Sequence, residues 1–392
     1  MRILLVLQKL PLPLQDGYNL RIYHYVRRLA ERHEIHLLSL EQGQMPDEML
    51  ECFASVGTHP MRTPPQPRSL LQKLGWAVSV EQFHDRDPEV SGMLADTVAA
   101  YDFDLIWVSG WAMLVYADLF EGTPLFADAI DEGALEAWIE FKKARDPVTA
   151  LLRLKRWYMT RDFERHYFRK SSLCALVSDA DCEAVQHDVP RLETCVVHNG
   201  VDPDHFAPMG TTPVEPSLIF EGTMAHVPNA EGIVHFVQHS LPLIHAELPE
   251  VRLFVVGRDP TPEVLALAGT HVEVTGFVDD VRPWLDKASV FVSPLIGGAG
   301  IKNKVLQAWS MAKAVVATPI SSGGLLAVDG ENIVSATTPR ELADACLRLL
   351  RDREERERIA AAGRQTVLDH YSWDAKAEEL DLRLRQAAGQ NR

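Results

Sequence analysis

Short apolar runs alternate with longer segments of helical period along most of the chain. Arg2–Leu7 is the first run, a helix with one apolar face follows it, and Glu34–Leu40 is the second run. Alternating strands and helices are typical of an α/β fold with parallel sheets. Further strands are predicted at Leu105–Val108, Pro124–Phe126, Ser172–Val177, Thr194–His198, Leu218–Phe220, Leu253–Val256, Val272–Gly276, Val290–Val292 and Ala314–Thr318.

The stretch Val290–Pro319 shows the pattern most clearly. Its first apolar run is followed by three glycines, Gly297, Gly298 and Gly300, and then by an amphipathic helix and a second buried strand. This order predicts a βαβ unit with a flexible first connection. Glycines at such a turn let backbone N–H groups approach a ligand closely, and the start of the helix attracts anions. The turn therefore favours a phosphate site.

Two lysines, Lys302 and Lys304, lie in the first turn of this predicted helix. Cations there oppose the helix dipole, so their position is better explained if an anion shares the site. The alternative is an ordinary strand-to-helix turn with solvated lysines, because a glycine-rich turn has little specificity by itself.

Composition excludes several classes of protein. The chain has 392 residues, enough for two domains, and its formal charge of −16 argues against a nucleic-acid binder. Lys9, Pro11 and Pro13 interrupt the first apolar segment, so no signal peptide is expected. No apolar run has the length of a membrane span, and we expect a cytoplasmic protein. The five cysteines are scattered, which predicts neither disulfides nor a zinc site.

One segment, residues 151–170, is basic in an acidic chain. Seven lysines and arginines stand there against Asp162 and Glu164, with five aromatic residues between them. Leu152, Met159, Phe163 and Tyr167 can share a packed helical face, leaving a basic and aromatic face. That face could rest on an anionic membrane, which would make the protein peripheral to it. A solvated helix packed on a neighbouring element is the alternative.

At this point the sequence resembles a known family. The residues GAGIKNKVLQAWSMAKAVVAT, at 298–318, resemble the nucleotide-sugar-binding segment of family 4 glycosyltransferases, and are most similar to exopolysaccharide-associated sugar transferases of bacteria. Members of this family are retaining enzymes of the GT-B fold, with two Rossmann-like, doubly wound parallel-sheet domains facing a central cleft. The resemblance implies an acceptor-side domain at 1–208, a nucleotide-sugar-binding domain at 209–371, and a helix at 372–392 that crosses back to the first domain.

The resemblance also implies roles in the first domain. Its first loop, which has only Gly17 where many members have two glycines, would lie beside the sugar and acceptor; a helix-start glycine is the alternative. Asp131, in the acidic segment after the fifth strand, would face the acceptor and orient or deprotonate its hydroxyl. The alternative is that Asp128 or Asp131 caps the next helix.

In the second domain, the turn with Gly222 and Thr223 would contact the donor phosphates. Relatives have basic residues shortly after this turn, and here Arg258 is a candidate replacement, so the resemblance gives the compensation of the diphosphate mainly to Lys302 and Lys304. Lys302 is therefore also a candidate catalytic residue. The resemblance implies four more residues of the donor site. Phe277 and Val278 would contact the base, Gly300 would belong to the glycine turn, and Gln307 would bind the ribose.

The sequence departs from the family at two positions. Members have two glutamates where this chain has Ala299 and Gln307. A glutamine oxygen has a reach similar to that of the glutamate, so ribose binding would persist with one charge-assisted hydrogen bond fewer. No metal is required by the resemblance, and no cofactor beyond the nucleotide-diphosphate sugar donor.

Two functions from different classes remain. The first is a retaining glycosyltransferase that moves a sugar from a nucleotide-diphosphate sugar to a glycan, lipid-linked or small-molecule acceptor. The second is a catalytically silent homologue that binds nucleotide or glycan as an assembly partner. A sugar-nucleotide epimerase would need acid and base carboxylates that the sequence does not identify.

Overall fold

The computed structural model describes residues 1–12, 17–59, 84–130, 133–144, 146–214, 216–298 and 301–389. They form two compact units: the first contains Met1–His198 and the chain from Lys376 onward, and the second contains Asn199–Ala375. The sequence placed these divisions after residues 208 and 371. Residues 199–208 instead pack with the second unit, where the Val201 amide donates to the Tyr371 carbonyl and the Ser310 hydroxyl donates to the Phe206 carbonyl, both at 2.8 Å.

The described part of the first unit contains a sheet of seven parallel strands. They are β1 (Arg2–Leu7), β2 (Glu34–Ser39), β3 (Ser55–Thr58), β4 (Leu105–Ser109), β5 (Leu125–Ile130), β6 (Leu173–Leu176) and β7 (Thr194–Val196), in the order β3-β2-β1-β4-β5-β6-β7. The central strands are buried throughout because helices cover both faces of the sheet. The sequence did not predict β3, an edge strand that stays partly exposed and lacks an apolar run.

Helices connect these strands and cover the sheet. They are Gly17–Leu29, Asp47–Leu50, Pro88–Ala100, Gly133–Lys142, Pro147–Tyr167, Asp179–Asp188 and Trp373–Ala387, with 3₁₀ turns at Trp111–Phe120 and Phe168–Lys170. The last helix begins in the second unit and continues into the first, where His33 Nε2 lies 2.7 Å from Asp381 Oδ1. Within the described ranges, no helix has both the length and the apolar character that a membrane crossing needs.

The second unit is built around a second parallel sheet. Its described strands are β8 (Ser217–Glu221), β9 (Arg252–Val256), β10 (Val272–Gly276), β11 (Val290–Ser293), β12 (Ala314–Ala317) and β13 (Val334–Ser335), in the order β10-β9-β8-β11-β12-β13. The helices are Val227–His239, Leu241–His245, Pro262–Leu265, Arg282–Lys287, Asn303–Ser310, Pro319–Ser322, Pro339–Arg351 and Arg353–His370. The predicted βαβ unit is thus β11, Asn303–Ser310 and β12.

A close helix contact fixes the position of Asn303–Ser310. Trp309 is fully buried against Gly363 of the helix Arg353–His370. A Cβ atom added at Gly363 would lie 2.5 Å from Trp309 Cδ1, so only glycine allows this approach. The helix Asn303–Ser310, which follows the glycine turn, is therefore packed closely against the helix Arg353–His370.

The basic helix differs from its prediction at one end. Met159, Phe163 and Tyr167 are buried as the helical period predicts, but Leu152 is 56% exposed. The predicted face is correct in its C-terminal half, where the helix packs on the first unit. Its N-terminal half extends beyond the surface on which those residues pack.

Candidate functional site

The carboxyl ends of β8 and β11 form the candidate site in the second unit. β8 pairs with β9 on one side and with β11 on the other, so the connections leave in opposite directions at the β8/β11 pair. In open parallel sheets, ligands bind at the carboxyl ends of the strands beside this point. The loop after β8 begins at Gly222, and the loop after β11 carries the glycine turn and Lys302.

Two glycines bring backbone groups together at this edge. The amide of Gly222 donates to the Val256 carbonyl at 3.0 Å, and a Cβ added at Gly257 would lie 1.8 Å from the Gly222 oxygen. Both glycines have positive φ, 153° at Gly222 and 146° at Gly257. A side chain at Gly257 would push the loops after β8 and β9 apart, so the sequence leaves open backbone where a ligand could approach.

Lys304 extends from its helix toward the Gly222 loop. Its ammonium donates to Asn229 Oδ1 at 2.7 Å and lies 4.4 Å from the centre of the Phe220 ring. Asn229 is itself 7% exposed, and its amide nitrogen donates to the Thr223 carbonyl at 2.9 Å. Asn229 therefore connects the lysine to the loop after β8.

The position of this ammonium also explains why residue 222 is glycine. A Cβ atom there would lie 2.7 Å from Lys304 Nζ and 2.8 Å from Asn229 Nδ2. The bare backbone and the lysine ammonium thus occupy adjacent volumes at the carboxyl end of β8. Amide groups and a cation side by side are suited to bind a phosphate.

Burial lowers the pKa of Lys304 to about 8, with Glu221 acting in the opposite direction and Lys302 in the same one. Burial likewise lowers the pKa of His226, and both lysines add to that effect. Burial raises the pKa of Glu221, which Lys304 partly offsets. Because the two lysines and the histidine disfavour one another's charged forms, an anion bound among them would be stabilised.

Lys302 is the residue immediately before the helix Asn303–Ser310. A Cβ added at Gly298, where φ is 107°, would lie 3.6 Å from Lys302 Nζ and 3.3 Å from Pro228 Cγ. The glycine turn therefore passes between the lysine and the start of the helix Val227–His239. Gly300 and Ala299 lie outside the described residues.

Thr223 and Arg258 also meet at this edge. Arg258 Nε donates to Thr223 Oγ1 at 3.3 Å, and the Met224 amide donates to the Arg258 carbonyl at 2.8 Å. The arginine follows β9 and is partly exposed, with Asp259 Oδ2 3.8 Å from its Nε. It is thus available to a ligand on the Gly222 loop.

The remaining predicted donor residues lie at neighbouring positions. Phe277 follows β10 and is 70% exposed, whereas Val278 packs at the edge of the apolar cluster that contains Trp309. Gln307 is partly exposed, one turn after Lys304 on the same helix face. Phe277 and Val278 directly follow β10, and Gln307 lies on the helix between β11 and β12. Among the described residues, no group of three or more metal-binding side chains is present.

The first unit has a comparable edge after β1 and β4. Gly17 is the first residue of the helix Gly17–Leu29, and the Tyr18 hydroxyl of that helix donates to the Ser109 carbonyl at 3.4 Å. Asp131 lies outside the described residues. Asp128 belongs to β5, so it does not cap a helix.

Asp128 instead forms a buried ion pair with Arg21. Arg21 Nη2 lies 2.8 Å from Asp128 Oδ1, and Arg21 Nε lies 3.2 Å from Oδ2. The arginine also donates to the Val197 carbonyl at 2.8 Å, and both side chains are fully buried. The pair ties the first helix to β5 and to the end of the first unit.

Sequence reasoning missed Asn229. The asparagine stands at the third position of a helix that begins with Val227, where it reads as a helix-start residue. Its contact with Lys304 joins residues far apart in the sequence, and only the fold brings them together.

Two domain families match most of the chain. Residues 16–200 match the family described as glycosyl transferase 4-like domain, and residues 215–352 match the family described as glycosyl transferases group 1. The chain belongs to the family 4 glycosyltransferases. The predicted family is confirmed, and the two matches correspond to the two compact units of the structure.

Curated relatives match parts of the chain. It is 31% identical over 148 residues to the phosphatidyl-myo-inositol mannosyltransferase of Mycobacterium leprae, which covers 36% of this chain and 39% of that protein. It is 29% identical over 234 residues to the alpha-maltose-1-phosphate synthase of Mycobacterium tuberculosis, which covers 49% of this chain and 58% of that protein. The chain thus spans between 39% and 58% of the length of these relatives.

Solved structures match the whole fold. Sucrose-phosphate synthase from Thermosynechococcus elongatus has a TM-score of 0.70 at 16% identity, over 98% of both chains. Anabaena Alr3699/HepE in complex with UDP has a TM-score of 0.69 at 16% identity, over 98% of this chain and 99% of the other. Likeness at this identity concerns the fold, and the predicted GT-B fold is confirmed.

Proposed function

We propose that the protein is a retaining glycosyltransferase that uses a nucleotide-diphosphate sugar as donor and no further cofactor. The observation that carries the proposal is the Lys304 ammonium, which Asn229 holds beside the bare backbone of Gly222 at the β8/β11 edge. Family membership supports it, as does the UDP in the Anabaena relative of the same fold. Lys302 and Arg258 add positive charge to the same edge.

The residues would act mainly on the leaving group. As the bond from the sugar C1 to the diphosphate breaks, negative charge develops on the diphosphate oxygens. Lys302, Lys304 and the amide of Thr223 would stabilise that charge without reorganising, which is usually a large contribution to catalysis. Gly222 would let the diphosphate approach the backbone, while its own amide keeps its hydrogen bond to the Val256 carbonyl. Gly300 would extend the same backbone site, Gln307 would hold the ribose, and Phe277 and Val278 would contact the base.

The acceptor hydroxyl forms the new bond to C1 and loses its proton. Asp131 would orient that hydroxyl or take the proton, with Gly17 beside the sugar. The acceptor in this proposal is a glycan, a lipid-linked glycan or a small molecule; a mannosyltransferase and a sugar-phosphate synthase among the relatives support this range. With a lipid-linked acceptor, the protein would act on the cytoplasmic side of a membrane. It would be peripheral to that membrane and would contact it through residues 151–170.

A second function is favoured by one departure from the family. Ala299 and Gln307 replace two glutamates, so the chain could bind a nucleotide or glycan without transferring the sugar and act as an assembly partner. Binding without turnover is what distinguishes this silent homologue from the transferase.

The test is release of nucleoside diphosphate from a panel of nucleotide sugars, with and without candidate acceptors. We expect one donor to be turned over by the wild-type protein and to lose turnover in Lys302→Ala. Arg340→Ala is the matched control, since this exposed cation of the second unit pairs with Asp344 on the helix Pro339–Arg351. Nucleotide binding without release under every condition would support the silent homologue. Failure to bind any nucleotide would refute the transferase and the assignment of the donor site, and would leave the silent homologue only glycan binding.

A further inference from the structure

Two antiparallel helices of the first unit, Gly133–Lys142 and Pro147–Tyr167, form a hairpin. The hairpin is well packed internally, because Trp138 and Trp157 meet across it with ring centroids 4.9 Å apart. Apolar side chains nevertheless remain exposed at its closed end, which we call the hairpin tip. They are Ile139 (38% exposed), Val148 (69%), Leu151 (68%), Leu152 (56%) and Tyr158 (57%).

Three of these apolar side chains share one side of the helix Pro147–Tyr167 with Lys155. Val148, Leu151, Leu152 and Lys155 stand at i, i+3, i+4 and i+7, the spacing that places residues on one side of a helix. The same helix buries Met159 one turn later, so it changes from packed to unpacked along its length. Single exposed apolar residues are ordinary on a surface, but such a group marks an interaction site.

The tip is basic although the whole chain has a charge of −16. The described residues among 142–158 contain one acid, Asp146, and five basic residues: Lys142, Lys143, Arg153, Lys155 and Arg156. A partner that matches an apolar face bordered by positive charge must itself be apolar and anionic. An anionic phospholipid surface has both properties over an extended area.

Charges farther along the helix are already used inside the protein. Arg161 and Arg165 both contact Asp188, at 2.5 Å and 3.1 Å, and Lys170 pairs with Asp118. The C-terminal half of the predicted basic segment is therefore committed to its own unit. This moves the expected contact from the whole of 151–170 to the hairpin tip.

Acidic residues of the preceding helix pair with two of the arginines. Arg153 Nη2 lies 3.5 Å from Glu140 Oε2, and Arg156 Nη2 lies 3.9 Å from Glu136 Oε2. These arginines border the face rather than lie on it. Lys142 is the last residue of the preceding helix, and Lys143 follows it with its Nζ 3.8 Å from Glu140 Oε1. Lys155 lies within the apolar face.

We propose that the hairpin tip docks on an anionic phospholipid membrane, with Val148, Leu151 and Leu152 entering the interface. Tyr158 and the lysines lie where aromatic and basic side chains favour the headgroup region. The helix would lie in the plane of the interface, as amphipathic segments with a basic border do. The proposal does not depend on which sugar the protein transfers, or on whether it transfers one.

The test is co-sedimentation of the full chain with phosphatidylcholine vesicles, with and without phosphatidylglycerol. We expect binding to the vesicles with phosphatidylglycerol, and a loss of about tenfold or more in affinity in the double variant Leu151→Ser, Leu152→Ser, because both exposed leucines leave the interface. Leu382→Ser is the matched control, since Leu382 is also 67% exposed in the first unit but lies on another helix. All three substitutions are on the surface, and a thermal melt checks that each variant folds.

A second variant tests the charge. Replacing Lys142, Lys143 and Lys155 by glutamine is expected to reduce binding to phosphatidylglycerol vesicles to the level of phosphatidylcholine alone. Equal binding by the wild type and the double leucine variant would overturn the proposal, and so would no binding to either vesicle. A dimer that the leucine variant abolishes, without vesicle binding, would assign the face to a second copy instead. Donor turnover in the leucine variant separates this result from the transferase proposal.

Discussion

The pH dependence of nucleotide binding tests the central lysine of the site. Burial lowers the pKa of Lys304 to about 8, so its charge is lost in a pH range where lysines are ordinarily protonated. If the ammonium binds the donor diphosphate, affinity for a nucleoside diphosphate is full below pH 8 and falls as the pH rises through that value. The terminal phosphate of the nucleotide ionises at about pH 6 and is fully charged throughout this range.

The size of the effect follows from the protonated fraction. With a pKa of about 8, about nine-tenths of Lys304 is charged at pH 7 and about one-tenth at pH 9. The dissociation constant should therefore rise about tenfold between these pH values, which corresponds to about 1.4 kcal/mol. Arg258 remains charged over the whole range and contributes no step.

Three variants test whether the pH-dependent change in affinity comes from Lys304. Lys304→Met should bind weakly at every pH and show no step. Asn229→Asp places a carboxylate where the amide oxygen now lies 2.7 Å from Nζ, so it should move the step to higher pH. Lys302→Met should weaken binding but keep a step, shifted slightly upward, because Lys302 lowers the pKa of Lys304.

Calorimetric titration with UDP from pH 7 to pH 9 measures these constants directly. The Arg340→Ala variant serves as a surface control and should follow the wild type. A dissociation constant that does not change across this range, or a step that persists in Lys304→Met, would refute the assignment of Lys304 to the diphosphate.

Three further predictions test other parts of the structure. Arg21→Met leaves the buried Asp128 carboxylate without its ion-pair partner and should cost about 3–5 kcal/mol in denaturant unfolding. Arg2→Met, which removes an exposed pair with Glu34, should cost far less, and equal losses would contradict the reasoning. Gly222→Ala should weaken UDP binding without unfolding the protein, because the methyl group would lie 2.7 Å from the nearest ammonium. Gln307→Glu should bind UDP about fivefold more tightly, since a ribose hydroxyl would donate to a carboxylate; unchanged affinity would place the ribose elsewhere.

The strands could be predicted because parallel strands are buried on both faces and leave apolar runs. Val290–Val292 and Ala314–Thr318 are predicted within a residue or two of β11 and β12. The strands that were missed, β3 and β13, are short edge strands with exposed residues, so burial leaves no pattern in them. The helical period correctly placed Met159 and Phe163, but it could not show where the supporting surface ends, and Leu152 lies beyond it.

The candidate site was predictable to the extent that single residues reveal it. A glycine directly after a predicted strand pointed to Gly222 in the sequence. In the structure its φ is positive, which other residues rarely adopt. The partners of charged side chains were not predictable, because they come from distant parts of the chain. Asp128 was considered as a cap of the next helix and instead pairs with Arg21. Asn229 was not singled out, since nothing near it in the sequence indicates a lysine partner.

The cationic groups around Asn229 affect the stability of the second unit. Lys304 makes its hydrogen bond to a neutral amide, and the same amide donates to the Thr223 carbonyl. The charges of Lys302 and Lys304 lie close enough to His226 to lower its pKa beyond the effect of burial. Cationic groups gathered at one edge of a folded domain oppose one another and therefore reduce its stability. A bound diphosphate removes that cost, so nucleotide should raise the thermal stability of the wild type more than that of Lys304→Met.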